Sequence, residues 1–146
     1  MFKISTGMQD ALLLALASQL NGTMVMNIYS GAVPATADAD LGSAVLLRTV
    51  SVDSTGTGMS FEATTSGGML VKSTSEIWAG QNVATGTASF YRIMNIGDTG
   101  AATTTAPRLQ GSVGLLNADL ILGNVGLVAG VTDPAIGIFM VGLPTE

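Results

Sequence analysis

Short apolar–polar alternation, repeated along most of the chain, is the feature that most limits its possible folds. Segments such as 23–30 and 87–96 alternate large apolar residues with polar ones at a period of two. This period predicts strands with one face turned toward a core. The segments are short and recur at roughly ten-residue spacing, which is typical of a sandwich or barrel. We therefore predict a mainly β fold, an antiparallel β-sandwich or barrel-like domain.

Further strands are predicted on both sides of a long loop at residues 97–107, which has no periodicity and few large side chains. Together, residues 43–75 predict a three-strand meander with turns at 53–58 and 66–68. No change in composition marks a boundary, so residues 1–146 are predicted to form a single domain. The remaining predicted strands are 77–80, 108–113, 118–122, 125–128 and 135–143.

One helix, at about residues 7–20, is predicted to precede the strands, which run from residue 23 onward. Thr6 and Gln9 have the spacing of a capping box, and Asp10 is predicted to place a negative charge in the first turn. Asn21 and Gly22 then supply a left-handed terminator. Apolar residues cover every face of this helix, which predicts burial on all sides. The helix then either lies deep within the fold or covers the core on one side and a neighbouring subunit on the other, and we favour the second arrangement.

The composition indicates a surface built for contact with protein. Charged residues make up 10% of the chain, against roughly 25% in typical soluble domains. Glycine, threonine, serine and alanine replace the missing charges, and such a neutral surface loses little solvation free energy when it is covered. The predicted interface residues are Leu12, Leu13, Leu16 and Leu20 of the helix, with the single tryptophan, Trp78, as a candidate hot spot. Leu13 is predicted to face away from the core, so that Leu13→Asp yields a folded monomer.

The chain has no histidine and no cysteine, which removes the commonest general base and the thiolate and imidazole metal ligands. No catalytic residue, cofactor or metal is predicted, and the protein is expected not to be an enzyme. Phosphate binding uses clustered lysine and arginine. The basic residues are instead spread singly, so no nucleic acid partner is predicted: Lys3, Arg48, Lys72, Arg92 and Arg108. The apolar run 11–17 is too short for a bilayer, which needs about 20 residues, so we predict a soluble protein without a membrane partner.

Two short acidic motifs are candidate sites. Asp98-Thr99-Gly100 has the form of an aspartic protease loop, which would require a homodimer whose two carboxylates share a proton. The residues that follow predict a poor strand, and Asp-x-Gly is also an ordinary turn, so the protease remains a remote alternative. Asp38 and Asp40 offer only two ligands to a hard cation and are more typical of a solvated turn.

Several motifs occur together along the chain: Ile4-Ser5-Thr6-Gly7-Met8, Ile28-Tyr29-Ser30-Gly31-Ala32-Val33-Pro34, Ala37-Asp38, Glu76-Ile77-Trp78-Ala79-Gly80 and Gly97-Asp98-Thr99-Gly100-Ala101. As a set they resemble a family of small virion proteins of tailed bacteriophages and prophages. The resemblance implies a head or tail component, most like a capsid decoration (cement) protein. It implies a small β-domain that forms homotrimers and clamps subunits of the major capsid protein on the capsid exterior, after synthesis in the bacterial cytoplasm. A tail or head–tail connector component is the alternative.

Overall fold

The computed structural model describes residues 2–143, which form one N-terminal helix followed by ten short strands. The predicted fold class is confirmed: the chain is mainly β, with a curled, predominantly antiparallel sheet and a single helix at its N-terminus. The elements are α1 (Thr6–Leu20), β1 (Met24–Ser30), β2 (Val45–Val52), β3 (Met69–Val71), β4 (Trp78–Ala79), β5 (Gly86–Thr87), β6 (Phe90–Asn95), β7 (Arg108–Gly114), β8 (Leu120–Ile121), β9 (Gly126–Leu127) and β10 (Met140–Gly142).

A six-stranded sheet organises the fold in the order β4-β2-β1-β6-β7-β8. Its strands are antiparallel except for β7 and β8, which run parallel. Strand β1 lies between β2 and β6, with Met26 opposite both Val50 and Ile93. Two further pairs, β3 with β10 and β5 with β9, complete the described sheets.

The core contains an aromatic cluster that joins distant parts of the chain. Trp78 is completely buried and lies with its ring centroid 5.8 Å from that of Phe61 and 5.9 Å from that of Phe139. Tyr91 packs edge-on against Phe139 at 5.5 Å. The indole Nε1 of Trp78 donates a hydrogen bond to Glu76 at 2.9 Å. This bond satisfies the one polar atom of the indole, which is the usual condition for burying a tryptophan.

The ends of α1 differ in part from the prediction. The N-cap is Ser5 rather than Thr6, and its hydroxyl accepts a hydrogen bond from the backbone N–H of Met8 at 3.2 Å. The helix therefore starts one residue earlier, which places Asp10 beyond the first turn, where no acidic residue lies. The predicted capping box and charged first turn are wrong. Gly22 does adopt the left-handed conformation, with φ +79°, as the terminator prediction required.

Within the isolated chain, α1 covers the core on one side only, and burial of its other side by a neighbouring subunit stays a prediction. Only Leu13, Ala17 and Leu20 are buried. They lie at spacings of four and three residues, so they form one stripe that faces the sheet. The uniform apolar composition gave no indication of which stripe would be chosen, because every face offered similar side chains.

The predicted meander over residues 43–75 is correct only around its two turns, where single antiparallel bridges join Val52 to Thr57, Ser66 to Met69 and Phe61 to Lys72. Strand β2 pairs with β1 and β4, whereas β3 pairs with β10 from the far end of the chain. Residues 59–64 form only isolated bridges, from Met59 to Met24 and from Phe61 to Lys72. The backbone of Gly58 packs closely against the residues that end α1. A Cβ added at Gly58 would lie 2.2 Å from the carbonyl oxygen of Gly22.

Gly80 is a second point of close backbone approach, and it yields a prediction. An added Cβ at Gly80 would lie 2.0 Å from the carbonyl oxygen of Thr49 in β2. Since the obstacle is backbone, no side-chain rotation relieves it, and β4 must move away from β2. We expect Gly80→Ala to lower the free energy of unfolding by about 1–3 kcal/mol, measured by urea denaturation.

Gly123→Ala is the matched control, because nothing lies within 4 Å of a Cβ at that position. We expect its unfolding midpoint to stay close to that of the parent chain. Equal midpoints for the Gly80 and Gly123 variants would contradict the proposed close approach.

Candidate functional site

The structure divides the five predicted interface residues into two groups. Leu13, Leu20 and Trp78 lie in the core with exposures of 0%, 2% and 0%, so the prediction that they form a contact surface is wrong. Leu16 is half-buried against the core, and Leu12 is 46% exposed. Only Leu12 therefore has a large exposed area, and its role in contact stays a prediction.

A different set of residues forms the exposed side of α1. Met8, Ala11, Leu12 and Ala15 are all exposed and follow one another at i, i+3, i+4 and i+7, which places them on a single stripe turned away from the sheet. We call these four residues the outer helix face. The outward side of a surface helix ordinarily carries polar and charged residues. In α1 the only charged residue is Asp10, which is half-buried.

Large apolar side chains are exposed at many other positions between residues 2 and 143. The most exposed are Phe2 at 86%, Leu116 at 80% and Ile138 at 77%. Single exposed apolar residues are normal on any protein, but here they accompany an apolar helix face and a shortage of charge. The combination is typical of surfaces that are covered by other protein.

Most of the positive charge is used inside the protein, which the sequence did not reveal. Arg48, Lys72 and Arg92 are at most 7% exposed, and the side chain of Arg108 is 2% exposed. Among the side chains of residues 2–143, Lys3 is the one basic group that is exposed. Each buried cation donates hydrogen bonds to backbone carbonyl groups of neighbouring segments, as Lys72 does to Ser73 and Glu76 at 2.8 and 2.6 Å. The buried basic side chains therefore link separate segments of the backbone.

Arg92 and Arg108 fix the loop that follows β1. The Arg92 guanidinium donates to the carbonyl oxygens of Ala39 and Thr36 and, through two nitrogens, to Oε1 of Gln110. Arg108 donates to the carbonyl oxygen of Ala37 at 3.2 Å. A loop without regular secondary structure is thus anchored to the adjacent strands β6 and β7.

Asp98 forms an ion pair, which bears on the protease alternative. Its Oδ1 and Oδ2 accept hydrogen bonds from Nη2 and Nε of Arg108 at 2.6 and 2.7 Å. The side-chain hydrogen bond from Arg108 and the backbone N–H of Gly100 hold the pKa of Asp98 below its ordinary value. A proteolytic aspartate instead shares a proton with a second carboxylate. The observed carboxylate–guanidinium pair argues for a structural role of Asp98.

The other perturbed acidic groups follow the same trend. Hydrogen bonds from the backbone and side chain of Ser112 lower the pKa of Asp119, and those from Thr74 lower the pKa of Glu62. Burial raises the pKa of Tyr91 to about 12 and raises that of Tyr29. All of these shifts move the pKa values away from pH 7, whereas the pKa values of catalytic acids and bases are shifted toward it. The shifts therefore fit structural hydrogen bonding.

A cavity of about 820 Å³ lies beside strand β10. Its walls include Ile138, Phe139 and Met140, and Asp119 and Asp133 also line it. We call this feature the β10 cavity. Its volume falls in the range of about 300–1,000 Å³ that is typical of ligand pockets, and its lining is largely apolar. It can accept an apolar group of considerable size.

Arg48 forms part of the wall of the β10 cavity. Its Nη2 donates to the carbonyl oxygens of Asp133 and Pro134, each at 3.3 Å. Asn82, the bridge partner of Arg48, donates to Oδ2 of Asp133 at 2.6 Å. Burial lowers the pKa of Arg48, and the nearby Asp133 carboxylate opposes that shift. These contacts fix the 133–134 segment against β2 and so hold the cavity wall in place.

Nothing in the sequence indicated the β10 cavity. Its lining comes from Arg48, from residues 119–124 and from residues 133–140, and no local pattern joins these segments. In the sequence, the spacing of two between Ile136 and Ile138 predicts a strand and gives no information about a cavity. In the structure Ile136 is buried and Ile138 is exposed.

The described residues contain no group of three or more acidic, histidine or cysteine side chains that could hold a metal ion. Oδ1 of Asp40 accepts a hydrogen bond from the backbone N–H of Gly42 at 2.6 Å, as in an ordinary Asx turn. Within residues 2–143, no helix has the length and apolar character needed to cross a membrane.

Comparisons with known proteins found no match: no family model, no curated protein and no solved structure corresponds to this chain. The mainly β fold, the outer helix face and the β10 cavity are therefore the observations on which a function has to be argued.

Proposed function

We propose that this chain is a structural virion protein that decorates and stabilises the capsid surface of a tailed bacteriophage through protein–protein contacts. The observation that carries the proposal is the outer helix face, a continuous apolar stripe on the solvent side of α1. The proposed partners are further copies of the chain, as a homotrimer, and the major capsid protein. The proposed location is the capsid exterior.

The electrostatics of the surface support this role. Lys3 is the one exposed basic side chain of the described residues, and the whole chain has only five basic and ten acidic residues. Association loses free energy when charged groups are desolvated without good partners. A surface with few charges avoids most of that loss, so many modest contacts can add up over a large, repeated lattice. The resemblance inferred from the sequence motifs implies the same class of partner.

The location of the chain in the particle is the direct test. Phage particles encoded by the genome that carries this sequence are purified and labelled with a gold-conjugated antibody raised against the chain. We expect label over the whole head. Label confined to the neck or tail would overturn the decoration role in favour of a connector or tail component, and absence from the particles would overturn both.

The outer helix face yields a prediction about assembly. Leu12→Asp places a charge in the middle of this face without touching the core, since Leu12 is 46% exposed. We expect the variant to stay folded and to lose self-association, because a carboxylate in a protein interface is desolvated without a partner. Sedimentation velocity measures the change, with a folded monomer as the expected species.

Thr6→Asp is the matched control for Leu12→Asp. Thr6 is exposed and lies in the first turn of the same helix, outside the outer helix face. A negative charge there is favourable to the helix dipole, so folding is preserved while the net charge changes equally. The control is expected to sediment like the parent chain. A Leu12→Asp variant that sediments like Thr6→Asp would contradict the proposed contact.

A further inference from the structure

Residues 2–4, ahead of α1, carry two exposed apolar side chains. Phe2 is 86% exposed and Ile4 is 43% exposed, with the exposed Lys3 between them. Residues 2–4 belong to no helix or strand and make no hydrogen bond to the rest of the described chain. We call residues 2–4 the arm. A phenylalanine this exposed is unfavourable in water, because burying it fully stabilises by about 1.5–3 kcal/mol, so the arm has the composition of a segment that docks elsewhere.

The β10 cavity has the size and lining to receive such a segment. Its volume of about 820 Å³ is open to apolar groups, and Ile138 and Met140 on its walls are themselves 77% and 50% exposed. The cavity therefore combines space for side chains with apolar surface that gains from being covered. Filling it with Phe2 and Ile4 would remove apolar surface from water on both partners.

Backbone geometry supports docking of an extended segment at this place. Among the described strands, β10 is an edge strand, because its two-stranded sheet contains only β3 beside it. Met140 of β10 and Met69 of β3 both line the cavity, so the cavity lies beside this pair of strands. An added strand gains main-chain hydrogen bonds from such an edge, while alternate side chains enter pockets. The arm alternates in the required way, since Phe2 and Ile4 point to one side of an extended chain and Lys3 to the other.

Charge complementarity selects the same pairing. Lys3 is the one exposed basic side chain of the described residues, and the cavity is lined by two carboxylates, Asp119 and Asp133, against one cation, Arg48. Arg48 is 1% exposed, and its guanidinium is already hydrogen-bonded to backbone carbonyls. The accessible charge of the cavity is therefore negative. An ammonium group brought in by the arm is attracted to it.

From these observations we infer that the arm of one copy docks in the β10 cavity of a second copy, with Phe2 and Ile4 in the cavity and Lys3 near its acidic rim. The arm lies at the N-terminal side of α1, whose outer helix face begins at Met8. A homotrimer accommodates this contact when each arm docks in the cavity of the next copy around a three-fold axis. The inference rests on the self-association in the proposed function, and not on the location of the chain in the virion.

Disulfide trapping tests the pairing, since the chain has no cysteine of its own. Ile4→Cys and Ile138→Cys are made as separate variants, mixed and exposed to a mild oxidant. We expect a disulfide-linked dimer that contains one chain of each variant, identified by mass. Ile4→Cys mixed with Ile96→Cys is the control, because Ile96 is 54% exposed and lies outside the cavity lining. A yield at least about tenfold above that control supports the inference, since docking must raise the local concentration of the two thiols.

Equal yields for the two mixtures would overturn the inference. A double variant with both cysteines in one chain detects docking of the arm in its own cavity. An intrachain disulfide in a monomer at high dilution, with no interchain product at high concentration, would also overturn it.

Ile4→Asp supplies a second readout that does not depend on oxidation. Since Ile4 lies in the arm and outside the core, the variant keeps the fold, and we expect self-association to weaken about tenfold or more in sedimentation equilibrium. Unchanged association would count against the arm. If Leu12→Asp dissociates the protein while both arm tests fail, only the arm inference falls. If gold labelling finds the chain on the tail, the arm inference is unaffected.

Discussion

Leu13→Asp is expected to unfold the domain. Leu13 is 0% exposed and belongs to the hydrophobic core. Truncation of a buried leucine alone lowers the free energy of unfolding by about 3–5 kcal/mol. A buried carboxylate without a partner adds a further desolvation penalty or must take up a proton. The sum approaches the entire stability of a typical domain, about 5–15 kcal/mol.

Circular dichroism and urea denaturation measure this effect. We expect Leu13→Asp to lose its cooperative unfolding transition or to show it at a much lower urea concentration. Leu12→Asp, one residue away on the outer helix face, is the matched control and should unfold near the parent midpoint. The pair of variants thus separates folding from association. A well-folded monomeric Leu13→Asp would restore the sequence-based assignment of Leu13 to an interface and contradict the observed orientation of α1.

Asp98→Asn is expected to destabilise the domain by about 3 kcal/mol, because it leaves a buried guanidinium without its counter-ion. The side chains of Arg108 and Asp98 are 2% and 12% exposed, and two hydrogen bonds of 2.6 and 2.7 Å join them. The amide that replaces the carboxylate offers one neutral oxygen in place of two charged ones. Urea denaturation at neutral pH measures the loss.

Two further variants isolate the cause. Asp53→Asn is the control for the charge change, because Asp53 is exposed and its φ of +51° suits asparagine. It should unfold within about 0.5 kcal/mol of the parent chain. Asp98→Asn combined with Arg108→Met should recover part of the loss, since no unpaired charge is then buried. An Asp98→Asn variant as stable as the Asp53→Asn control would show that the ion pair contributes nothing.

The contribution of Asp98 also depends on pH in a defined direction. Its pKa is lowered in the folded protein by Arg108, so its stabilisation is fully present above the unfolded pKa of about 3.9. It is lost as the pH falls through the lower, folded pKa. The stability difference between the parent chain and Asp98→Asn should therefore shrink as the pH is lowered below about 4.

Local sequence patterns predicted the elements of this fold well. The alternation at residues 23–30 became β1, the segment at 87–96 contains β6, and the aperiodic region at 97–107 is a loop. The period of two located these strands, but nearly every residue of β1 and β6 is buried, so the expectation of a single buried face is wrong for both. The position of Gly22 at the end of α1 was likewise readable, since few residues other than glycine adopt a positive φ readily.

Pairing between distant strands could not be predicted from the sequence. The meander prediction located the local bridges around its two turns, but it missed the pairing of β3 with β10 across about half of the chain. Periodicity along one strand carries no information about a distant partner strand. The choice was made by long-range packing around Trp78 and Phe139, which brings the C-terminal segment onto β3.

For the candidate contact surface too, the sequence determined the composition and the tertiary structure decided which residues are exposed. The low charge, the apolar helix and the absence of histidine and cysteine were determined by the sequence, and they favoured a protein that works through protein–protein contact. Only the tertiary structure decided that Leu13 faces inward and Leu12 outward, because a helix that is apolar on every side can pack by any face. Only the structure placed the arginines inside and opened the β10 cavity. Cavities and buried ion pairs are made by segments that are distant along the chain, so their geometry exists only once the chain has folded.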